Sequence, residues 1–145
     1  MLLARSAVVA EARSWIGTPY RHQASLKGVG CDCLGLVRGV WRALLGDEPE
    51  RAPPYAPDWA EASARETLAE AAARHLIPVA SEAVRDGDVL LFRWREHLPA
   101  KHAAIVTAPA LMVHAHEGAA VAEVAFASWW RRRLAFAFRF PGVAD

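Results

Sequence analysis

Residues 30–46 read GCDCLGLVRGVWRALLG. From Cys33 to Leu45, Val37, Val40, Trp41 and Leu44 recur at the i, i+3, i+4, i+7 spacing of one helix face. Asp32 is placed to cap this helix and Gly46 to stop it. Gly35 and Gly39 are poor helix formers, and their spacing marks a face that packs closely on something flat. Cys33 is then the first helical residue. There the unpaired N–H groups and the positive end of the helix dipole favour a thiolate, while the Asp32 charge opposes it. The chain's two cysteines, Cys31 and Cys33, both lie in this stretch. Neighbours at i and i+2 rarely meet the geometry of a bridge, and two cysteines make no disulfide framework.

Upstream, residues 2–16 predict a helix with Leu3, Val8, Ala12 and Trp15 on one face. Residues 18–30 predict a loop rich in glycine and polar side chains. Downstream, DEPERAPPYAP (47–57) is a proline-rich connection. Asp58 caps an Ala/Glu-rich helix that runs to about His75, a peripheral element followed by Pro78. From Asp86-Gly87-Asp88 the period changes to that of strands: VLLFRW (89–94), HAAIVTA (102–108), LMVHAH (111–116) and AVAEV (120–124). SWWRRR forms a helical turn, and AFAFRF (135–140) alternates strictly, with Phe136, Phe138 and Phe140 on one side. Helices first and sheet second give an α+β fold with an antiparallel meander.

The 145 residues suit one domain, 1–145, with 54% hydrophobic and 23% charged residues. A net charge of +1 gives no electrostatic argument for nucleic acid or an anionic membrane. No stretch approaches a membrane span, and Arg5 and Glu11 interrupt any signal-like apolar run, so synthesis in the cytoplasm without a signal peptide is expected.

A nucleophilic cysteine needs a base, and the base an orienting partner. Of the histidines, His102 and His114 fall on adjacent strands. They face each other only if the loop around Ala108 has an odd number of residues; an even loop sends them to opposite faces. His114-Ala115-His116 also admits a zinc reading, with Cys31, Cys33 or His102 completing four ligands and Glu117 as base. Arg131-Arg132-Arg133 behind Trp129-Trp130 is either a solvated edge over packed tryptophans or a grip on an anionic glycan or partner.

Five segments in order carry a resemblance. Asp32-Cys33-Leu34-Gly35-Leu36-Val37 resembles the Asp-Cys-Ser-Gly-Leu-Val nucleophile motif of NlpC-type cell-wall cysteine peptidases. Gly17-Thr18-Pro19-Tyr20 resembles their Gly-x-Pro-Tyr, and Gly87-Asp88-Val89-Leu90-Leu91-Phe92 their Gly-Asp-Leu-Val-Phe. Lys101-His102-Ala103-Ala104-Ile105-Val106 resembles their His-Val-Gly-Ile, and Val113-His114-Ala115 the segment with the third polar residue. The likeness runs from about residue 10 to 140 and is nearest the peptidases of phage tails and gene transfer agents. It departs at Arg21-His22-Gln23, where the family has an aromatic and two glycines, at Leu34 in place of Ser, and at Cys31 in place of an aromatic.

The resemblance implies a papain-like α+β fold, with the nucleophile helix packed on a C-terminal antiparallel sheet. It implies hydrolysis of peptidoglycan stem peptides, often between D-γ-glutamyl and a diamino acid. Cys33 is implied as nucleophile, His102 as base and His114 as orienter, with Tyr20, Asp32 and Leu34 around the substrate and the oxyanion. Neither cofactor nor metal belongs to this reading. Its partners are the peptidoglycan peptide and tail or particle proteins, and the particle carries the chain to the periplasmic wall. A catalytically silent tail module is the remaining class.

Overall fold

The computed structural model of the chain describes residues 2–50 and 65–144. Helix α1 (Arg5–Arg13) leads into a short ladder, β1 (Ser25–Leu26) and β2 (Gly30–Cys31), and then α2 (Cys33–Leu45). After α3 (Thr67–His75) come β3 (Ile77–Val79), a 3-10 turn (Ser81–Ala83), β4 (Val89–Phe92), β5 (His102–Ala108), β6 (Leu111–His114), β7 (Ala122–Ala125), α4 (Ser128–Arg131) and β8 (Leu134–Arg139). The sheet is antiparallel with strand order β3-β8-β4-β5-β6-β7. The expected meander therefore holds from β4 to β7, while β8 returns along the far side of β4.

Both faces of the sheet are covered, which explains the unbroken apolar run of β4. Val89 and Leu91 point into the larger core, with Val8, Ala12, Trp15, Leu36 and Val40 from α1, α2 and the turn between them. Leu90 and Phe92 point to the other side, into a smaller cluster with Ala104, Val106, Met112 and Phe126. The Asp86–Asp88 turn is tied to α1. Buried Asp88 accepts from Arg5 Nη1 at 2.9 Å and from the Arg85 N–H at 2.8 Å.

Helix α2 has the bounds expected from its sequence. Asp32 Oδ1 accepts from the Gly35 N–H at 2.7 Å, and Gly46 leaves the helix at φ 94°. The tight face is real: a Cβ on Gly39 would lie 2.0 Å from the Trp15 indole, and one on Gly35 would lie 1.9 Å from the Ala24 carbonyl oxygen.

Several expectations need correction. The first helix is shorter than 2–16, because Leu3 is held extended by hydrogen bonds to Gly142 and Ala144. The 18–30 loop contains the β1–β2 ladder. Asp58 lies outside the described residues, but the third helix is not continuous back towards it: it starts only at Thr67. Just ahead of Thr67, the Glu66 carboxylate accepts from the Ala100 N–H at 2.8 Å and from Arg93 at 3.1 Å. Nor is α3 peripheral, since Leu68 and Ala69 are buried in the main core. Pro78 lies within edge strand β3, opposite Phe138, where the missing N–H costs no ladder bond.

Candidate active site

Cys33 opens α2 at one end of the sheet. Asp32 anchors this corner with both oxygens: besides capping α2, its Oδ2 accepts from the Gln23 N–H at 2.7 Å. The 21–24 loop is thereby bound to the helix start. Gln23 adopts φ 64° in that loop, a left-handed conformation that favours glycine.

His102 is the first residue of β5, opposite Phe92, so its side chain leaves the sheet on the smaller-cluster face. Its relation to His114 rests on one extra residue. The hairpin turn spans Pro109 and Ala110, and Ala108 pairs with Leu111. Carried down the ladder, this even loop would set the two histidines on opposite faces. The register shifts between Val106 and Ala108, so that Val106 pairs with Met112 and Ile105 with Val113. The bulge at Thr107 restores the parity, and its buried hydroxyl is fixed by a 2.5 Å hydrogen bond to Glu123. His102 and His114 thus share a face by a bulge rather than by an odd loop, and they are diagonal neighbours rather than facing ones. Their rings meet, with His102 Nε2 and His114 Nδ1 2.9 Å apart.

Two tautomer arrangements satisfy that hydrogen bond. If His102 donates from Nε2, its Nδ1 keeps a lone pair and can accept a proton. If His114 donates instead, His102 Nδ1 carries the hydrogen and cannot serve as a base. Only the first arrangement suits general-base chemistry.

A cleft of about 380 Å³ is lined by Tyr20, His22, Asp32, Cys33, Leu34, Leu68, Trp94, Lys101, His102, Ala115, His116 and Glu117. Cys33, His102, Tyr20, Asp32 and Leu34 therefore converge on one space, while His114 stands behind His102 outside its lining. The Cys33 thiol points to the Lys101 carbonyl, with Sγ 3.7 Å from that oxygen.

The electrostatics favour an uncharged pair. Burial, then the Asp32 charge, pushes the Cys33 thiol up to about 12, against the pull of the Ala103, Leu34 and Cys33 N–H groups. The helix start alone therefore does not ionise the thiol, contrary to the simplest expectation from its position. Burial, then His114 and His116, holds His102 well below the usual imidazole range, and burial and His116 lower His114 to about 4. Burial first, then the neighbouring Cys33 and Asp32, raises the Tyr20 phenol to about 12, which keeps its hydroxyl a donor.

Cys31 has no place in the cleft. It lies on β2, fully buried in the main core, and burial raises its thiol to about 11. His116 is exposed, with its ring 5.5 Å from that of His102. Among the described residues, no group of three or more His, Cys, Asp or Glu side chains is arranged to hold a metal ion. The zinc reading therefore finds no assembled ligand set there.

Sequence reasoning missed the aromatic wall. Trp94 and Trp130 both lie against His102, at centroid distances of 5.2 and 5.4 Å. The Trp-Trp pair ahead of three arginines was the available signal, but only the fold brings α4 over the histidines. The arginines largely serve their own neighbourhood. Arg133 stacks on Trp129 at 3.7 Å, and Arg131 stacks on Phe126 at 4.2 Å and donates to the Phe126 and Pro109 carbonyls.

The same fold occurs in solved structures. An NlpC/P60 family protein from Bacillus cereus superimposes with a TM-score of 0.70 at 17% identity, over 97% of this chain and 41% of that one. The NlpC/p60 domain of the peptidoglycan hydrolase SagA gives 0.67 at 23% identity, over 95% of this chain and all of that one. NlpC2 from Trichomonas vaginalis gives 0.68 at 15% identity, over 94% of this chain and 46% of that one. The chain thus spans less than half of the Bacillus and Trichomonas proteins. A comparison with curated protein sequences gave no match. The sequence profile of the NlpC/P60 family matches residues 17–139, from the turn before Tyr20 to the last strand, and by that match the chain belongs to the NlpC/P60 family.

Proposed function

We propose that the chain hydrolyses amide bonds of peptidoglycan stem peptides, between D-γ-glutamyl and a diamino acid, with Cys33 as nucleophile. The observation that carries this reading is a thiol at a capped helix start sharing a cleft with an imidazole that is hydrogen-bonded to a second imidazole. His102 takes the thiol proton as Cys33 Sγ attacks the peptide carbonyl. Because both groups rest uncharged, the transfer accompanies attack instead of preceding it. The Cys33 N–H and the Tyr20 hydroxyl receive the oxyanion. The C–N bond then breaks, His102 returns the proton to the leaving amine, and water hydrolyses the thioester. His114 accepts from His102 Nε2 throughout and keeps the reacting nitrogen turned to the thiol. The structural likeness to a domain of a peptidoglycan hydrolase supports the substrate class.

Mass spectrometry of muropeptides tests the bond. Digestion should leave a peptide ending in D-glutamate and a diamino acid with a new free amine, equally with and without EDTA. Intact stem peptides on a shortened glycan would contradict the reading. The reading extends to delivery: the chain acts in the tail of a phage-like particle or gene transfer agent. Its resemblance to that subgroup over residues 10–140 supports this, and immunogold labelling confined to the cytoplasm would count against it.

A further inference from the structure

His102 and His114 lie under an aromatic cover. The Trp130 indole is stacked on His102 (5.4 Å, 25° between planes) and perpendicular to His114 (5.3 Å, 88°). It therefore lies against both partners of the 2.9 Å imidazole–imidazole hydrogen bond. Trp94 adds a second ring against His102 (5.2 Å, 31°) and touches Trp130 at 5.9 Å. Trp130 is itself held edge-on by Phe92 (4.9 Å) and Trp129 (4.8 Å).

We propose that Trp130 is a positioning residue for His102: by covering the His102–His114 hydrogen bond and stacking on the imidazole, it keeps water from that bond and fixes the plane of the ring that acts as base. The proposal rests on the cysteine-hydrolase reading, because it concerns the base of that site. A neutral N–H···N bond open to water exchanges readily for water contacts, and the imidazole can then rotate. Under an apolar cover the same bond has no competing partner and is electrostatically stronger. The indole π-faces also suit the imidazolium that forms transiently during turnover, since cation–π attraction acts within about 6 Å of a ring centroid. Trp94 supports the same ring from the cleft side.

The test compares Trp130→Phe, which keeps an aromatic face, with Trp130→Leu, which keeps apolar volume alone. Two measurements are made on each folded variant. One is ring ¹⁵N NMR of the His102 Nε2–H proton and its exchange with water; the other is kcat and KM on purified muropeptides. In wild type the Nε2–H should be protected from exchange. Trp130→Phe should keep that protection and a kcat within about threefold of wild type. Trp130→Leu should lose the protected signal and about 10–30-fold in kcat, with KM within about twofold. A Leu variant that keeps the protected N–H, or Phe and Leu variants equally impaired, would overturn the proposal. So would rapid exchange in wild type, which decides the matter even where Trp130→Leu does not fold. The NMR arm needs no substrate. Failure to cleave peptidoglycan therefore counts against the hydrolase reading, and an imidazole N–H whose protection does not depend on Trp130 counts against the positioning role.

Discussion

Cys33→Ala is expected to fold normally and to lose at least about 10⁴-fold in peptidoglycan cleavage, because the proposed mechanism makes its thiol the bond-forming atom. Cys33 makes a weak hydrogen bond to the Lys101 carbonyl and is only partly buried. Truncation should therefore change stability by less than about 1 kcal/mol, as denaturant titration would show. Cys31→Ala should behave in the opposite way. Its side chain is fully buried, so the variant should lose roughly 1–2 kcal/mol of stability and keep most of its activity. A folded Cys31→Ala that is inactive, or a Cys33→Ala that still turns over, would show that the nucleophile is misassigned.

Gly35→Ala should be the most damaging small substitution in α2. Alanine is the better helix former by about 1 kcal/mol, so on an exposed face the change would stabilise. Here the new Cβ would lie 1.9 Å from the Ala24 carbonyl oxygen and 3.0 Å from the Ala24 carbonyl carbon. Those are backbone atoms, and no rotamer change relieves the clash. The Ala24 carbonyl also accepts from the Asp32 N–H at 3.2 Å, and the Gly35 carbonyl accepts from Ser25 Oγ at 2.6 Å. Separating helix from loop therefore strains the contacts around Asp32 that set the Cys33 corner. A loss of about 3 kcal/mol is expected from such overpacking, read from urea unfolding, together with lower activity in the surviving folded fraction. A variant as stable as wild type would mean that the loop is not seated as described. Gly39→Ala should cost less, because its neighbour is the Trp15 side chain rather than backbone.

The parts of the fold set by local chemistry were legible in the sequence. Asp32, the apolar stripe and Gly46 state where α2 begins and ends, and the bounds of β5 follow from its apolar run between polar residues. Elements created by tertiary contact were not. The β1–β2 ladder has two residues per strand and no period to read. β3 contains a proline that argues against a strand until its edge position is known. Thr107 carries no sequence mark of a bulge, yet without it His102 and His114 would lie on opposite faces of the sheet. Shared polarity of the two histidines suggested the pair, and only the ladder fixed it as diagonal. Trp130 illustrates the same limit: its partners are 16 and 28 residues upstream, on the far side of a hairpin.

The most direct measurement is the release of new amino groups from purified peptidoglycan by the wild-type chain, followed beside the release of reducing sugar ends. Amide hydrolysis through Cys33 predicts that amines rise, that reducing ends do not, and that alkylation of the thiol stops the reaction. Reducing ends without amines, or amine release that survives complete alkylation of Cys33, would contradict it.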